Sequence, residues 1–148
     1  MSLAEDLRRF RSIFIDTAVV IYHIEAHPAF GPLAREVVSS FRSGAARAYT
    51  SVMTLVEVLP KPVAAGNEEL ARKFLDFLAH TLNLELLEIS TDIAEKAGRL
   101  RAKYAGLRAA DAVQLATAIR AGADAFVTND VGLKRMREIQ IIVLRDYL

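Results

Sequence analysis

Five short runs along this chain are rich in β-branched, aliphatic and aromatic residues, and helical segments lie between them. The runs are "SIFID" at 12–16, "ARAYTS" at 46–51, "LELLEIS" at 84–90, "AFVTND" at 125–130 and "QIIVLRD" at 140–146. Strand runs that are apolar without alternation are covered on both faces, and strands separated by helices pair in parallel. The pattern therefore predicts an α/β domain in three layers, with a five-stranded, mostly parallel sheet between two sets of helices.

The intervening segments carry helix signals. A short helix is predicted from Leu3 to Phe10 and another from Ala18 to Glu25, which His27-Pro28 ends because the residue before proline avoids helical geometry. "GPLAREVVSSFRSG" at 31–44 has Pro32 at its start and Gly44 just past its end. A helix beginning at Thr54 is interrupted by Pro60, Pro62 and Gly66. Asn67 caps a longer helix to His80, with Leu70, Phe74, Phe77 and Leu78 on one face. Thr91 to Lys103 carries Ile93, Ala97 and Leu100. The segment 108–122 is so rich in alanine and aliphatics that it must be buried on most sides, and Gly122 ends it. A last short helix is expected around Val131 to Met136.

Composition narrows the class. A chain of 148 residues, 53% hydrophobic and 25% charged, forms one domain over 1–148 with a full core and is not a disordered polymer. The formal net charge of +1 neither demands nor forbids nucleic acid. The absence of cysteine removes disulfides and thiolate zinc sites. No apolar run approaches the ~20 residues of a membrane span. The start, "MSLAEDLRRFR", is charged and has no apolar signal core. The expectation is a soluble, cytoplasmic protein with no membrane partner.

Carboxylates recur at related places. Asp16 ends the first strand, Glu57 lies one turn into the helix after the second, Asp111 stands near the start of the alanine-rich helix, and Asp130 ends the fourth strand. Loops leaving the carboxyl ends of parallel strands gather along one edge, where ligands bind. The flanking residues, in "FIDTA", "LVEVL", "AADAV" and "VTNDV", are small or apolar, so the acids are expected to be held against a core. At ~4 Å and an effective dielectric of ~20, one like-charged pair costs about 4 kcal/mol. A cation or shared protons must offset that cost. Hard oxygen donors without cysteine favour Mg²⁺ or Mn²⁺, and such an ion at the mouth of an α/β sheet most often meets phosphate.

Four segments resemble the PIN domain, the nuclease fold of the toxins of VapBC-type toxin–antitoxin pairs: "FIDTAVVI", "YTSVMTLVEVL", "LRAADAVQLATA" and "AFVTND", in the right order and spanning Ser12 to Leu144. The resemblance implies strand order 3-2-1-4-5 and divalent-metal-dependent cleavage of RNA phosphodiesters. It implies Asp16, Glu57, Asp111 and Asp130 as catalytic metal ligands, with Thr17, Thr54, Thr128 and Asn129 supporting them. It also implies an antitoxin partner and frequent homodimers. Two features depart from the family pattern. Arg108 stands where many members have a Ser or Thr helix cap, which frees it to contact a phosphate. The eleven residues before Ser12 exceed the usual toxin start.

Other readings compete at single residues. Thr54-x-x-Glu57 is also a capping box, Asp111 suits a helix dipole in a first turn, and Asp130 suits a turn. His23-x-x-x-His27 has zinc-like spacing, but the glutamate of "HIEAH" is misplaced for a metalloprotease helix. Arg99, Arg101, Lys103 and Arg108, with Lys134, Arg135 and Arg137, are candidates for an RNA-binding flank, against the plainer reading of solvated helix faces. Receiver domains need paired acids after the first strand, and haloacid-dehalogenase-type phosphatases need Asp-x-Asp; "FIDTA" offers neither. A PIN fold that grips RNA or a protein without cutting is the main alternative. The apolar side chains of 32–41 and 67–80 exceed what one small sheet face needs, which points to self-association.

Overall fold

The computed structural model describes residues 1–148. In chain order the elements are α1 (Leu3–Leu7), β1 (Ser12–Ile15), α2 (Thr17–Ile24), α3 (Gly31–Arg42), β2 (Arg47–Ser51), α4 (Met53–Val58), α5 (Pro60–Ala64), α6 (Glu68–His80), β3 (Leu84–Leu87), α7 (Thr91–Lys103), α8 (Ala109–Ala121), β4 (Ala125–Thr128) and β5 (Gln140–Val143). Single turns of 3₁₀ helix cover Val131–Arg135 and Leu144–Tyr147. The five strands form one sheet in the order β3-β2-β1-β4-β5, and every pairing is parallel. This is the predicted three-layer α/β/α architecture.

The pleat of β1 divides the core. Ile13 and Ile15 face the layer built from α1, α2, α3 and α6, where they meet Val20, Val37, Phe41 and Phe74. Phe14 points the other way, into the layer of α7 and α8, with Leu100, Leu115 and Phe126. Phe14 and Phe126, opposite each other in register, stack with centroids 5.3 Å apart. Central β1 and β4 are buried along almost their whole length. The edge strand β3 is only half covered, so its "LELL" carries an exposed glutamate.

The capping signals act largely as written. Asn67 Oδ1 accepts from Leu70 N–H at the start of α6, and Gly122 ends α8 with a left-handed φ of +74°. Pro60 does not merely stop α4; it opens the further short helix α5 from its first position. The helix of α1 ends at Leu7, three residues short of the expected limit, and docks on the body through buried Leu3 and Leu7. Tyr147 donates to Asp6, tying this N-terminal helix to the last turn of the chain. Burial and the neighbouring Asp6 carboxylate push the Tyr147 phenol up to about 12. The apolar side chains of α3 and α6, among them Val37, Phe41, Phe74 and Leu78, are consumed inside one chain. Their number therefore gives no separate ground for self-association. No helix is long and apolar enough to cross a membrane.

Candidate active site

The parallel sheet delivers Asp16 and Asp130 to one edge, because β1 and β4 are neighbours that end in register. Asp16 N–H still pairs with Val127 C=O at 2.9 Å, so the acid sits on the last rung of the ladder. It caps α2: its Oδ1 accepts from Thr17 N–H at 2.9 Å, and its Oδ2 accepts from Thr128 Oγ1 at 2.8 Å. The same Thr128 hydroxyl oxygen accepts from Asp130 N–H at 3.1 Å, joining the two strand-end acids through one side chain. Asp130 Oδ1 accepts from Gly132 N–H at 2.9 Å, and a Cβ added at Gly132 would lie 3.1 Å from that oxygen.

Glu57, on α4, accepts from Thr17 Oγ1 at 2.6 Å through Oε1. Asp111, in the first turn of α8, is held by Arg108 Nε at 3.0 Å through Oδ2. All four acids line one cavity of about 540 Å³, together with Arg108 and Arg145. A depression of about 640 Å³ between α1 and α3 is larger, but Leu7, Ser39 and Ala46 line it and it gathers no cluster of acids.

The acids differ in setting. Asp16 is buried at 8% exposure, and Asp111 is largely covered. Glu57 and Asp130 are exposed, contrary to the expectation that all four are held against the core; on a helix and in a turn, apolar neighbours in sequence do not cover the side chain between them. Burial pushes Asp16 up from 3.8 to about 6, and the charges of Asp111 and Glu57 add to the rise; the Thr128 hydroxyl and Thr17 N–H oppose it. The capping-box reading of Thr54 fails, because α4 begins at Met53 and Thr54 turns inward. Its hydroxyl bonds Thr50 at 2.8 Å and lies 3.2 Å from Thr17. Asn129 braces the site from behind: its Nδ2 donates to Tyr22 and its Oδ1 accepts from Arg145 N–H.

The cluster has the chemistry of a hard-cation site, with carboxylate oxygens only. As the side chains stand, no three Asp, Glu or His groups are close enough to hold one ion together. Arg108 occupies one oxygen of Asp111 and Thr17 one oxygen of Glu57. Glu57 Oε2, Asp111 Oδ1 and Asp130 Oδ2 carry no protein hydrogen bond. A divalent ion fits this donor set through those free oxygens once Asp111 and Asp130 turn toward Glu57.

Of the expected RNA-binding flank, only Arg108 lines the cavity that holds all four acids. Arg99 pairs with Glu95 one turn away, Arg101 donates to Leu107 C=O, and Lys103 pairs with Glu138. Arg99 and Lys103 line a separate depression with Asp92 and Glu138. Arg135, over the Tyr104 ring, lines a cavity of about 400 Å³ that shares Arg108, Asp111 and Asp130 with the main one. Arg145, over the Phe30 ring, enters the main cavity and has no carboxylate partner. It escapes a sequence reading because it follows the last strand outside any motif. Gln114, one turn after Asp111 and 1% exposed, is likewise invisible within an apolar helix.

Fold and site together define a class: a parallel α/β/α domain whose strand ends and following helices bring carboxylates to one mouth. A model of the PIN domain matches residues 13–139, and the chain belongs to the PIN domain family. Its fold is similar to that of VapBC2 from Rickettsia felis bound to a DNA fragment from their promoter (TM-score 0.71, 22% identity, covering 89% of this chain and 98% of that one). It is also similar to a toxin–antitoxin complex from Klebsiella pneumoniae (TM-score 0.67, 21% identity, 89% and 97%). A third similar structure is VapC20 from Mycobacterium tuberculosis, a sarcin–ricin-loop-cleaving toxin (TM-score 0.63, 17% identity, 77% and 86%). No curated protein matches the sequence significantly.

Proposed function

We propose that this chain is a divalent-metal-dependent endoribonuclease that hydrolyses RNA phosphodiester bonds, and that it serves in the cytoplasm as the toxin of a VapBC-type pair. The observation that carries the reading is Asp16: a buried carboxylate, fixed by two hydrogen bonds, sharing a cavity with three further acids and feeling the charges of two of them, Asp111 and Glu57. Such an arrangement is costly by itself and is relieved by a cation. Asp16, Glu57, Asp111 and Asp130 would hold Mg²⁺ or Mn²⁺, which supplies Lewis-acid polarisation of the phosphodiester and acidification of a water. Thr17 and Thr128 fix the carboxylates, while Thr54 and Asn129 brace the walls. Arg108 and Arg145, which line the same cavity, would supply positive charge to the phosphates of the RNA.

The antitoxin is proposed from the likeness to the Klebsiella toxin–antitoxin complex. Exposed Val56 and Val63, on α4 and α5, offer apolar surface to such a partner or to a second copy. The test is cleavage of single-stranded RNA with added Mn²⁺ or Mg²⁺. Asp16→Ala and Asp111→Ala should abolish it, whereas Glu85→Ala, on the edge strand, should not. Binding without cleavage in the wild type would favour the non-cutting alternative. Equal cutting in EDTA would refute the metal-dependent mechanism.

A further inference from the structure

Beneath the carboxylates lies a buried polar network whose hydrogens can be counted one by one. Gln114 Nε2 donates to Thr54 Oγ1 at 2.9 Å and to Thr17 Oγ1 at 3.2 Å, and its Oε1 accepts from Ser51 Oγ at 2.5 Å. Thr50 Oγ1 gives its only hydrogen to Ile15 C=O at 2.9 Å. The 2.8 Å contact between Thr50 and Thr54 must therefore use the hydrogen of Thr54. The carboxylate of Glu57 only accepts, so the hydrogen of Thr17 goes to Glu57 at 2.6 Å. The 3.2 Å contact between Thr17 and Thr54 then has no hydrogen left and needs none, because both oxygens already accept from the two N–H groups of Gln114.

The opposite orientation of the Gln114 amide fails the same count. With Oε1 facing the threonines, Thr17 and Thr54 would donate to it. The short contacts Thr17–Glu57 and Thr54–Thr50 would then both lack a hydrogen. The network closes only with two donors at the position of Gln114 Nε2, and a side-chain amide supplies two donors on one atom and an acceptor on the other.

We propose that Gln114 is a positioning residue for the carboxylate site: it commits the Thr17 hydroxyl to Glu57, so that Glu57 turns Oε1 to the protein and leaves Oε2 for a cation in the cavity. The proposal rests on the metal-dependent reading of the site but acts through bonds present without metal. Gln114 is 1% exposed and does not line the cavity, so it touches neither substrate nor ion. Groups that orient metal ligands in this way typically govern affinity by about 10- to 100-fold.

The experiment has a metal-free arm and a metal arm. In the first, melting temperatures are measured for Thr17→Val, Glu57→Ala and the double variant. Their shifts should be non-additive in the wild-type background and additive in a Gln114→Glu background, where the acceptor-only carboxylate draws the Thr17 hydrogen away from Glu57. Gln114→Met, unbranched and without a donor, leaves Thr54 Oγ1 free to compete for the Thr17 hydrogen, and should weaken the coupling without abolishing it should Gln114→Glu not fold. In the unaltered protein, both side-chain amide hydrogens of Gln114 should exchange slowly with solvent. Additive shifts in the wild type, undiminished coupling in the Gln114 variants, or fast amide exchange each overturn the proposal. In the second arm, calorimetric titration with Mn²⁺ should show affinity reduced about tenfold or more by Gln114→Glu and by Thr17→Val, and restored by Thr17→Ser. Unchanged Mn²⁺ affinity in Gln114→Glu overturns the proposal. A wild type that binds no Mn²⁺ overturns the metal-dependent reading instead, and the first arm still decides the role of Gln114.

Discussion

Replacing Asp16 by asparagine should make the metal-free protein more stable at neutral pH. Both oxygens of Asp16 accept hydrogen bonds, from Thr17 N–H and from Thr128 Oγ1. Asparagine keeps the first through its Oδ1, and its Nδ2 can donate to Thr128 once that hydroxyl turns. The shape is retained and the buried charge is removed. The native carboxyl holds its proton up to about pH 6, whereas the ordinary value is 3.8. Between those values the folded state binds more protons than the unfolded chain, so stability falls as pH rises through that window. At about 1.4 kcal/mol for each tenfold change in proton affinity, the loss amounts to about 3 kcal/mol by pH 7. The assay is urea unfolding of wild type and Asp16→Asn in EDTA from pH 4 to pH 7, at constant ionic strength. The two proteins should be close in stability near pH 4, and the variant should gain steadily to a lead of about 3 kcal/mol, with unchanged denaturant slopes. A stability difference flat across this range, or a variant weaker than wild type at pH 7, would refute the argument from buried charge. A functional acid that costs stability is the expected trade at a binding site.

Three further outcomes follow from other side chains. Arg108→Gln removes the internal cation from Asp111, so Mn²⁺ should bind severalfold tighter by calorimetry while RNA binding weakens. Arg145→Ala and Arg135→Ala should each lower affinity for single-stranded RNA and reduce its salt slope by about 1, whereas Arg99→Ala, already paired with Glu95, should leave the slope unchanged. Tyr147→Phe strips the partner from the Asp6 carboxylate, whose other oxygen is already buried without a hydrogen bond, and should cost about 1–3 kcal/mol by urea unfolding.

The sequence is most informative where backbone and burial dictate residue type. "FIDT" announces a central strand because nothing polar fits between two helical layers until the chain reaches the sheet edge. Topology alone then places Asp16 and Asp130 together. Thr91 to Lys103 is read to the residue, since Ser90 caps its start and its apolar period is unbroken. The unread parts are those whose meaning lies in partners distant along the chain. The basic residues of α7 look like a nucleic-acid flank, but Glu95 and Glu138 neutralise two of them locally. Gln114 sits among alanines and leucines, and only the crossing of α8 over β2 and α4 shows that Ser51, Thr54 and Thr17 await it. Thr54 and Glu57 have capping-box spacing, yet the helix starts two residues too early for that role, so the threonine joins the buried network and the glutamate faces the cavity.

The claim on which the account depends is that the four acids hold a divalent cation, and thermal melts in EDTA and in 1 mM Mn²⁺ test it most directly. For a dissociation constant near 100 μM, binding contributes about 1.4 kcal/mol, which for a domain of this size raises Tm by about 4 °C. The wild type should show that rise, and Asp16→Asn/Asp111→Asn should not. No rise in the wild type, or an equal rise in the double variant, would contradict the assignment of these residues to the metal.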